Sequence, residues 1–190
     1  KGIDDSNIAA GDNVTVIGLG PIGLMFVRIA SLLGARVIAV GRRKTQLDRA
    51  QHMGAQVLIS TAETDDVVGA VRQATGNVGS DVVIEAVGKQ QTWQESVEMV
   101  RRGGIVNFFG GCPNDTKVHL DTNKLHYSEI TLKASFHHTP ALIQRALNAV
   151  ARGDVTARDF VNRVEPLKNL LDVFKHLMSH NGHLKTAIIP

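Results

Sequence analysis

The segment Gly18-Leu19-Gly20-Pro21-Ile22-Gly23 constrains the fold of this chain most, because it joins an apolar run to the start of a helical pattern. Residues 14–17 are typical of a buried strand, and the apolar positions of 24–33 fit the inner face of a helix. A strand, a glycine turn and a helix are the context in which a G-x-G-x-x-G motif indicates a dinucleotide site. In that context Gly18 allows the tight turn, Gly20 lets the backbone approach a pyrophosphate, and Gly23 permits close packing of helix on strand.

The start of this helix also suits an anion. Its unpaired N–H groups and the positive end of its dipole favour phosphate charges, and Pro21 fits the first turn, where a missing donor costs nothing. We therefore take five residues of the turn as candidate cofactor contacts: Gly18, Gly20, Pro21, Ile22 and Gly23. The alternative is an α/β packing turn that binds nothing.

Composition limits the other functions that the chain can have. A length of 190 residues allows one domain, or one domain with an appendage. The net charge of +3 is scattered, and the short basic clusters at 42–44 and 101–102 are not the basic stripe that nucleic acid binding needs. No apolar run approaches the roughly 20 residues of a membrane span, and none resembles a signal peptide. The single cysteine, Cys112, excludes an internal disulfide and fits a cytoplasmic protein.

Beyond the glycine turn, strand and helix patterns alternate. The sequence predicts strands at 36–40, 57–59, 81–86 and 105–109, helices at 44–53, 65–75 and 92–101, and a sixth strand at 130–136. Nearly continuous apolar strands separated by helices predict an α/β Rossmann fold: a doubly wound, parallel, six-stranded sheet with helices on both faces. Such sheets bind their ligands at the carboxyl ends of the strands.

The rhythm changes after Gly110-Gly111. Helices are predicted at 121–126, 140–151 and 167–178, and a last strand at 184–189. The last strand has no sequential partner in the sheet, so we expect it, with the segment 160–164, to belong to a neighbouring domain. The sequence thus divides into a dinucleotide-binding Rossmann domain, 1–137, and a C-terminal segment of helix and strand, 138–190. Because the chain begins with Lys1, we expect it to be part of a longer protein.

The residue that closes the second strand of a Rossmann unit decides the ribose chemistry. An Asp or Glu there accepts hydrogen bonds from a free 2′-hydroxyl and repels a 2′-phosphate, whereas this chain has Gly41, followed by Arg42 and Arg43. The small Gly41 leaves room for a phosphate, and an arginine fork can meet it with two charged hydrogen bonds. These residues favour NADP over NAD. The alternative is that both arginines flank the start of a helix or stack on adenine.

Several shorter motifs accompany the glycine turn. They are Gly34-Ala35, Gly54-Ala55, the run Asp81-Val82-Val83-Ile84-Glu85-Ala86-Val87-Gly88, and Gly103-Gly104 followed by Gly110-Gly111. In order and spacing these motifs resemble the zinc-dependent medium-chain alcohol and polyol dehydrogenases. The opening Lys1-Gly2-Ile3 is similar to that family's link into its cofactor domain, and the closing Gly182-His183-Leu184-Lys185-Thr186 to its C-terminal strand. The resemblance covers essentially the whole chain.

The resemblance implies further contacts with a nicotinamide dinucleotide. Family members that prefer NADP carry a glycine and a nearby arginine at the end of the second strand, which matches Gly41 and Arg43. The remaining implied contacts are Ala86 and Val87 under the nicotinamide ribose, the backbone of Gly110, Gly111 and Cys112 at the carboxamide, and Ser135, Phe136 and His137 beside the nicotinamide.

The family's catalytic zinc is held by a cysteine, a histidine and an acid on a preceding domain, so we expect no metal ligand in this chain. Cys112 alone cannot form a zinc site. His137 and His138, as neighbours on a strand, would point to opposite faces. Glu85 is interpreted as a hydrogen-bonded carboxylate that supports the cofactor loop rather than as a general base.

By the same resemblance, the intact protein would transfer hydride between NADP(H) and a secondary alcohol, polyol or related carbonyl. This chain would supply cofactor binding, and the zinc would lie in the preceding domain. The resemblance also implies a homodimer that pairs through the exposed sheet edge at 130–134. Two alternatives stay open, a non-catalytic nucleotide-sensing Rossmann domain and a zinc-free quinone or enone reductase. The preceding domain would separate them, because only the zinc enzyme needs a cysteine and a His–Glu pair there.

Overall fold

The centre of the structure is a six-stranded parallel sheet. The computed structural model describes residues 1–179 and 184–190. In chain order the strands of the sheet are β1 (Asn13–Ile17), β2 (Arg36–Gly41), β3 (Val57–Ser60), β4 (Ser80–Glu85), β5 (Val100–Phe108) and β6 (Thr131–Ala134). They lie in the order β3-β2-β1-β4-β5-β6, and all neighbouring pairs are parallel. The predicted doubly wound sheet is confirmed, and its strand order reverses between β1 and β4, where such sheets bind ligands.

Helices cover both faces of this sheet, as the alternating pattern predicts. The helices are α1 (Gly2–Asp5), α2 (Pro21–Leu32), α3 (Lys44–His52), α4 (Val67–Ala74), α5 (Gln90–Met99), α6 (Thr122–Tyr127), α7 (Pro140–Ala151), α8 (Ala157–Phe160) and α9 (Leu170–Met178). One buried cluster joins one face of the sheet to α2 and α3, and a second joins the other face to α4 and α5. Within residues 1–179 and 184–190, no helix has the length and apolar character needed to cross a membrane.

The boundaries of β5 differ from those predicted. The strand begins at Val100, well before Ile105, and α5 ends at Met99 rather than at Arg101. The reason is a contact with β4. Arg101 Nε donates to Asp81 Oδ1 at 2.6 Å, and a Cβ on Gly104 would lie 2.8 Å from the Asp81 carbonyl oxygen, so a glycine is needed for the two strands to approach here. This contact joins residues distant in the chain, so the local pattern does not reveal it.

The short helix α1 was not predicted, and its contacts attach the start of the chain to the sheet. A Cβ on Gly2 would lie 2.6 Å from the Phe26 ring, so only glycine permits this approach. Asn107 of β5, fully buried, donates its amide to the Gly2 carbonyl and the Ser6 hydroxyl, both at 2.9 Å. Hydrogen bonds from Lys1 and, secondarily, from the Ser135 hydroxyl lower the pKa of Asp5 to about 2.

The C-terminal segment forms a second, smaller sheet. Strands β7 (Val161–Pro166) and β8 (Lys185–Ile189) pair in parallel with each other and do not join the main sheet. The sequence predicts that the last strand lies outside the main sheet, and the structure agrees. The assignment of these strands to a neighbouring domain stays a prediction. Phe160 and Leu184 are buried in the same cluster as α2, so the segment packs on the Rossmann core. Gly182 and His183 of the closing motif lie outside the described residues.

Candidate dinucleotide site

The turn between β1 and α2 has the backbone that its glycines predict. Gly18 has φ +93°, a left-handed conformation that side chains disfavour, and its N–H donates to the Val40 carbonyl at 3.0 Å. A Cβ at this position would also lie 2.6 Å from a methyl group of Val87. Gly18 therefore joins the carboxyl end of β1 to those of β2 and β4.

Gly23 and Gly20 lack side chains for different reasons. A Cβ on Gly23 would stand 1.7 Å from the Gly18 carbonyl oxygen, so helix α2 touches the turn backbone to backbone. A Cβ on Gly20 would meet nothing within 4 Å, so the backbone here faces open space. Gly23 is therefore a packing residue, and Gly20 leaves the surface of the turn bare.

The first turn of α2 offers free donors toward this bare surface. Gly20 is the N-cap and has no side chain that could cap the helix, and its carbonyl accepts from Leu24 N at 2.9 Å. Pro21 has no N–H, and those of Ile22 and Gly23 precede the first intrahelical bond. No acidic residue lies in this turn. Unpaired donors at a positive helix end, beside a glycine in open space, fit a diphosphate.

Gly41 closes β2 and packs against the turn that follows β1. Gly41 is buried, and a Cβ there would lie 2.6 Å from Cδ1 of Leu19. The missing side chain thus makes room for Leu19, which is 2% exposed, and the role of Gly41 beside a phosphate stays a prediction. Arg42 and Arg43 are both exposed, and neither guanidinium group has a hydrogen-bond or ion-pair partner in the described part of the chain.

The carboxylate of Glu85 organises the loop that follows β4. Glu85 is fully buried, and its Oε1 accepts hydrogen bonds from Val87 N (2.9 Å), Gly88 N (3.0 Å) and Thr92 Oγ1 (2.7 Å). Its backbone carbonyl accepts from Phe109 N and Gly110 N in the loop after β5. Burial raises the pKa of Glu85 although these donors oppose the shift. This geometry matches the interpretation of Glu85 as a supporting carboxylate.

The loops after β4 and β5 touch through glycine backbone. A Cβ on Gly88 would lie 2.2 Å from the Gly111 carbonyl oxygen, and one on Gly110 would lie 2.4 Å from Gly88 N. Val87 and Ala86 border Gly18 on the other side. The candidate residues Gly18, Ala86, Val87, Gly110 and Gly111 are thus brought together at the carboxyl ends of β1, β4 and β5.

Trp93 is a site residue that the sequence interpretation missed. Its indole Nε1 donates to the Gly110 carbonyl at 2.9 Å, and its ring stacks on Phe108 with centroids 4.0 Å apart. An aromatic residue early in the helix that follows Glu85-Ala86-Val87-Gly88 is the only local signal of this contact. The acceptor lies in the loop after β5, so the pairing itself was not visible in the sequence.

The remaining candidates lie at the edge of this region. Cys112 is half-buried, and burial and then the charge of Glu85 raise the pKa of its thiol. Ser135 is buried, and its hydroxyl donates to Asp5 Oδ2 at 2.7 Å, whereas Phe136 is 78% exposed. No group of three or more His, Cys, Asp or Glu side chains in the described ranges has the geometry of a metal site.

The histidines that follow β6 correct another prediction. β6 ends at Ala134, so His137 and His138 do not lie on a strand and the alternation of strand faces does not apply to them. His137 has φ +38°, which turns the chain away from the extended direction. Its ring lies against Phe136 with centroids 4.1 Å apart. Phe136 and His137 therefore form one exposed aromatic pair beyond the sheet.

Comparisons with known proteins agree with this geometry. A family model described as zinc-binding dehydrogenase matches residues 21–152. A probable D-xylulose reductase A from Aspergillus clavatus is 29% identical over 187 residues, which are 96% of this chain and 51% of that protein. An NADP-dependent isopropanol dehydrogenase from Entamoeba histolytica is 42% identical over 113 residues, which are 57% of this chain and 31% of that protein.

A solved structure shows the same fold. It is a zinc-binding dehydrogenase from Sinorhizobium meliloti bound to NADP, with a TM-score of 0.91 and 32% identity, and the match covers 100% of this chain and 55% of that one. The chain therefore spans about half the length of the relatives that it matches.

Proposed function

Because this chain belongs to the zinc-binding dehydrogenase family, we propose that it is the NADP(H)-binding half of an enzyme that oxidises secondary alcohols or polyols or reduces the related carbonyls. The family membership agrees with the resemblance drawn from the sequence. The names of two relatives, an isopropanol dehydrogenase and a D-xylulose reductase, support this substrate class. The zinc and the residues that bind the alcohol would lie in the other half of the enzyme.

One observation carries the cofactor proposal: the bare start of α2 at the strand-order reversal of the sheet. Ile22 and Gly23 would donate their N–H groups to the pyrophosphate, and the open space at Gly20 would admit it. Val87 and the backbone of Gly110 and Gly111 would line the nicotinamide end. When bound, the nicotinamide supplies or accepts the hydride. This chain's residues hold it in place and exclude water from its inner face.

The coenzyme proposed is NADP rather than NAD, and the exposed pair Arg42 and Arg43 supports this choice. Both guanidiniums lie at the end of β2 without a partner in the described ranges, and no carboxylate closes that strand. The choice of coenzyme rests on these charges, because at Gly41 the structure shows only the packing against Leu19. The relative and the solved structure that carry NADP in their names lend further support.

Replacing Arg43 with alanine is expected to weaken NADPH binding about tenfold and to leave NADH binding nearly unchanged. A charged hydrogen bond to the 2′-phosphate contributes about 1.5–3 kcal/mol, and solvent exposure keeps the loss at the lower end. Calorimetric titration of the chain with both coenzymes measures this. Lys44→Ala is the matched control, because it removes a neighbouring charge that is paired with Asp48. Tighter binding of NADH than of NADPH by the unaltered chain would refute the choice of coenzyme.

We also propose that two copies pair through β6, which is an edge strand of the main sheet. One side of its backbone has no neighbouring strand within the described residues, and exposed edges favour pairing with a second chain. Sedimentation velocity over a range of concentrations is expected to show a dimer. A single monomeric species at every concentration would exclude this pairing.

A further inference from the structure

Trp93 holds one peptide group at the nicotinamide end of the proposed site. Its indole N–H donates to the Gly110 carbonyl at 2.9 Å, while the N–H of Gly110 donates to the Glu85 carbonyl at 2.8 Å. Gly110 is thus fixed by a hydrogen bond on each side. Glycine at this position is otherwise free to rotate, so these two bonds set the orientation of the loop.

The indole itself is held in place by its surroundings. Its ring stacks on Phe108 with centroids 4.0 Å apart and an interplanar angle of 13°. Phe108 is 7% exposed and belongs to the buried cluster that joins α4 and α5 to the sheet. The donor therefore sits on a rigid support and loses little conformational freedom when it binds the carbonyl.

Planarity of the peptide bond carries this orientation to the next residue. In a trans peptide the C=O and the following N–H point in opposite directions. Because the Gly110 carbonyl is drawn toward Trp93 on α5, the N–H of Gly111 is directed away from α5. This N–H has no acceptor among residues 1–179 and 184–190, and a Cβ on Gly111 would meet nothing within 4 Å.

We propose that Trp93 is a positioning residue: by fixing the Gly110 carbonyl, its indole N–H presents the Gly111 N–H as a donor to the nicotinamide end of the bound dinucleotide. This inference rests on the proposed function. Trp93 does not touch the cofactor, and it acts through the backbone of the loop after β5. As the only tryptophan of the chain, it also reports on that loop.

The test compares Trp93→Phe with the unaltered chain, using two ligands. Phenylalanine keeps an aromatic ring on Phe108 and removes only the N–H donor. Binding of NADPH is expected to weaken about five- to tenfold, the loss that corresponds to one hydrogen bond. Binding of adenosine 2′,5′-bisphosphate, which lacks the nicotinamide, is expected to stay unchanged. Gln91→Ala, on the exposed side of α5, is the matched control and is expected to change neither affinity.

The outcomes separate this inference from the proposed function. If the unaltered chain binds neither ligand, the proposed function fails. If the unaltered chain binds both ligands, two results would make the positioning role wrong. Trp93→Phe could weaken the binding of both ligands equally, or it could weaken the binding of neither. In either case Trp93 is only a packing residue. The NMR signal of the single indole N–H gives a second measurement without any substitution. It is expected to shift with NADPH and not with the bisphosphate, and the reverse result would overturn the inference.

Discussion

Replacing Gly23 with alanine is expected to lower the affinity for NADPH by about 100-fold or more. The new Cβ would stand 1.7 Å from the carbonyl oxygen of Gly18 and 2.9 Å from its carbonyl carbon, and both atoms belong to the backbone. Relief of this overlap must move α2 away from the turn, which misplaces the donors of Ile22 and Gly23. Overpacking of this kind also costs about 1–3 kcal/mol of folding free energy. Calorimetry with NADPH and a urea unfolding curve measure the two effects.

Gly20→Ala is the matched control for this substitution. Its Cβ would meet nothing within 4 Å, so the free energy of unfolding is expected to change by less than about 1 kcal/mol. Binding of NADPH is still expected to weaken, because the methyl group would occupy the surface that the pyrophosphate approaches. Unaltered NADPH affinity in Gly23→Ala would contradict the proposed use of this turn. Equal losses of stability in Gly23→Ala and Gly20→Ala would contradict the structure, in which only Gly23 lacks room for a Cβ.

Replacing Glu85 with alanine is expected to destabilise the fold by about 2–4 kcal/mol and to remove NADPH binding. The substitution leaves the N–H groups of Val87 and Gly88 without their acceptor in a partly buried loop, and a buried group of this kind costs about 1–3 kcal/mol. The loops after β4 and β5 meet around this carboxylate, so both would lose their arrangement. Urea unfolding gives the stability, and calorimetry gives the loss of binding. A stability equal to that of the unaltered chain would exclude a supporting role for Glu85.

Glu85→Gln separates the shape of this side chain from its charge. Burial raises the pKa of Glu85 above its usual value of 4.5, so the folded protein holds the proton more tightly than the unfolded chain. The contribution of Glu85 to stability is therefore greatest below pH 4.5 and falls as the pH rises through the raised pKa. Glutamine does not titrate, so the stability of the unaltered chain relative to Glu85→Gln is expected to fall over that range. A difference in the free energy of unfolding between the unaltered chain and Glu85→Gln that stays constant at every pH would refute the raised pKa of Glu85.

The glycine turn and Glu85, on which these predictions rest, were both recognisable in the sequence. Gly18, Gly20 and Gly23 were assigned distinct roles from their spacing alone, and the structure gives each the backbone environment that its role needs. Glu85 was interpreted as a supporting carboxylate because it closes an apolar strand. Its donors, Val87, Gly88 and Thr92, are close in sequence, so a local interpretation was possible.

Other parts of the site were missed in the sequence because they depend on distant residues. The packing of Leu19 against Gly41 was not visible in the sequence, and the predicted role of Gly41 beside a phosphate stays a prediction. Trp93 was overlooked because its acceptor, Gly110, lies in the loop after β5. Ser135 is expected beside the nicotinamide, and the sequence did not reveal that its hydroxyl donates to Asp5 at the start of the chain. Whether the backbone of Ser135 reaches the cofactor stays a prediction.

The sequence by itself determined the order of strands and helices, the parallel doubly wound sheet and the glycine turn, because apolar periodicity and turn chemistry are local properties of neighbouring residues. The tertiary structure alone decided where β5 begins, which residue occupies the space at Gly41, and which side chain orients the loop after β5. Each of these depends on a contact between elements far apart in the chain. Such contacts exist only once the sheet has brought the carboxyl ends of its strands together, so no local pattern encodes them.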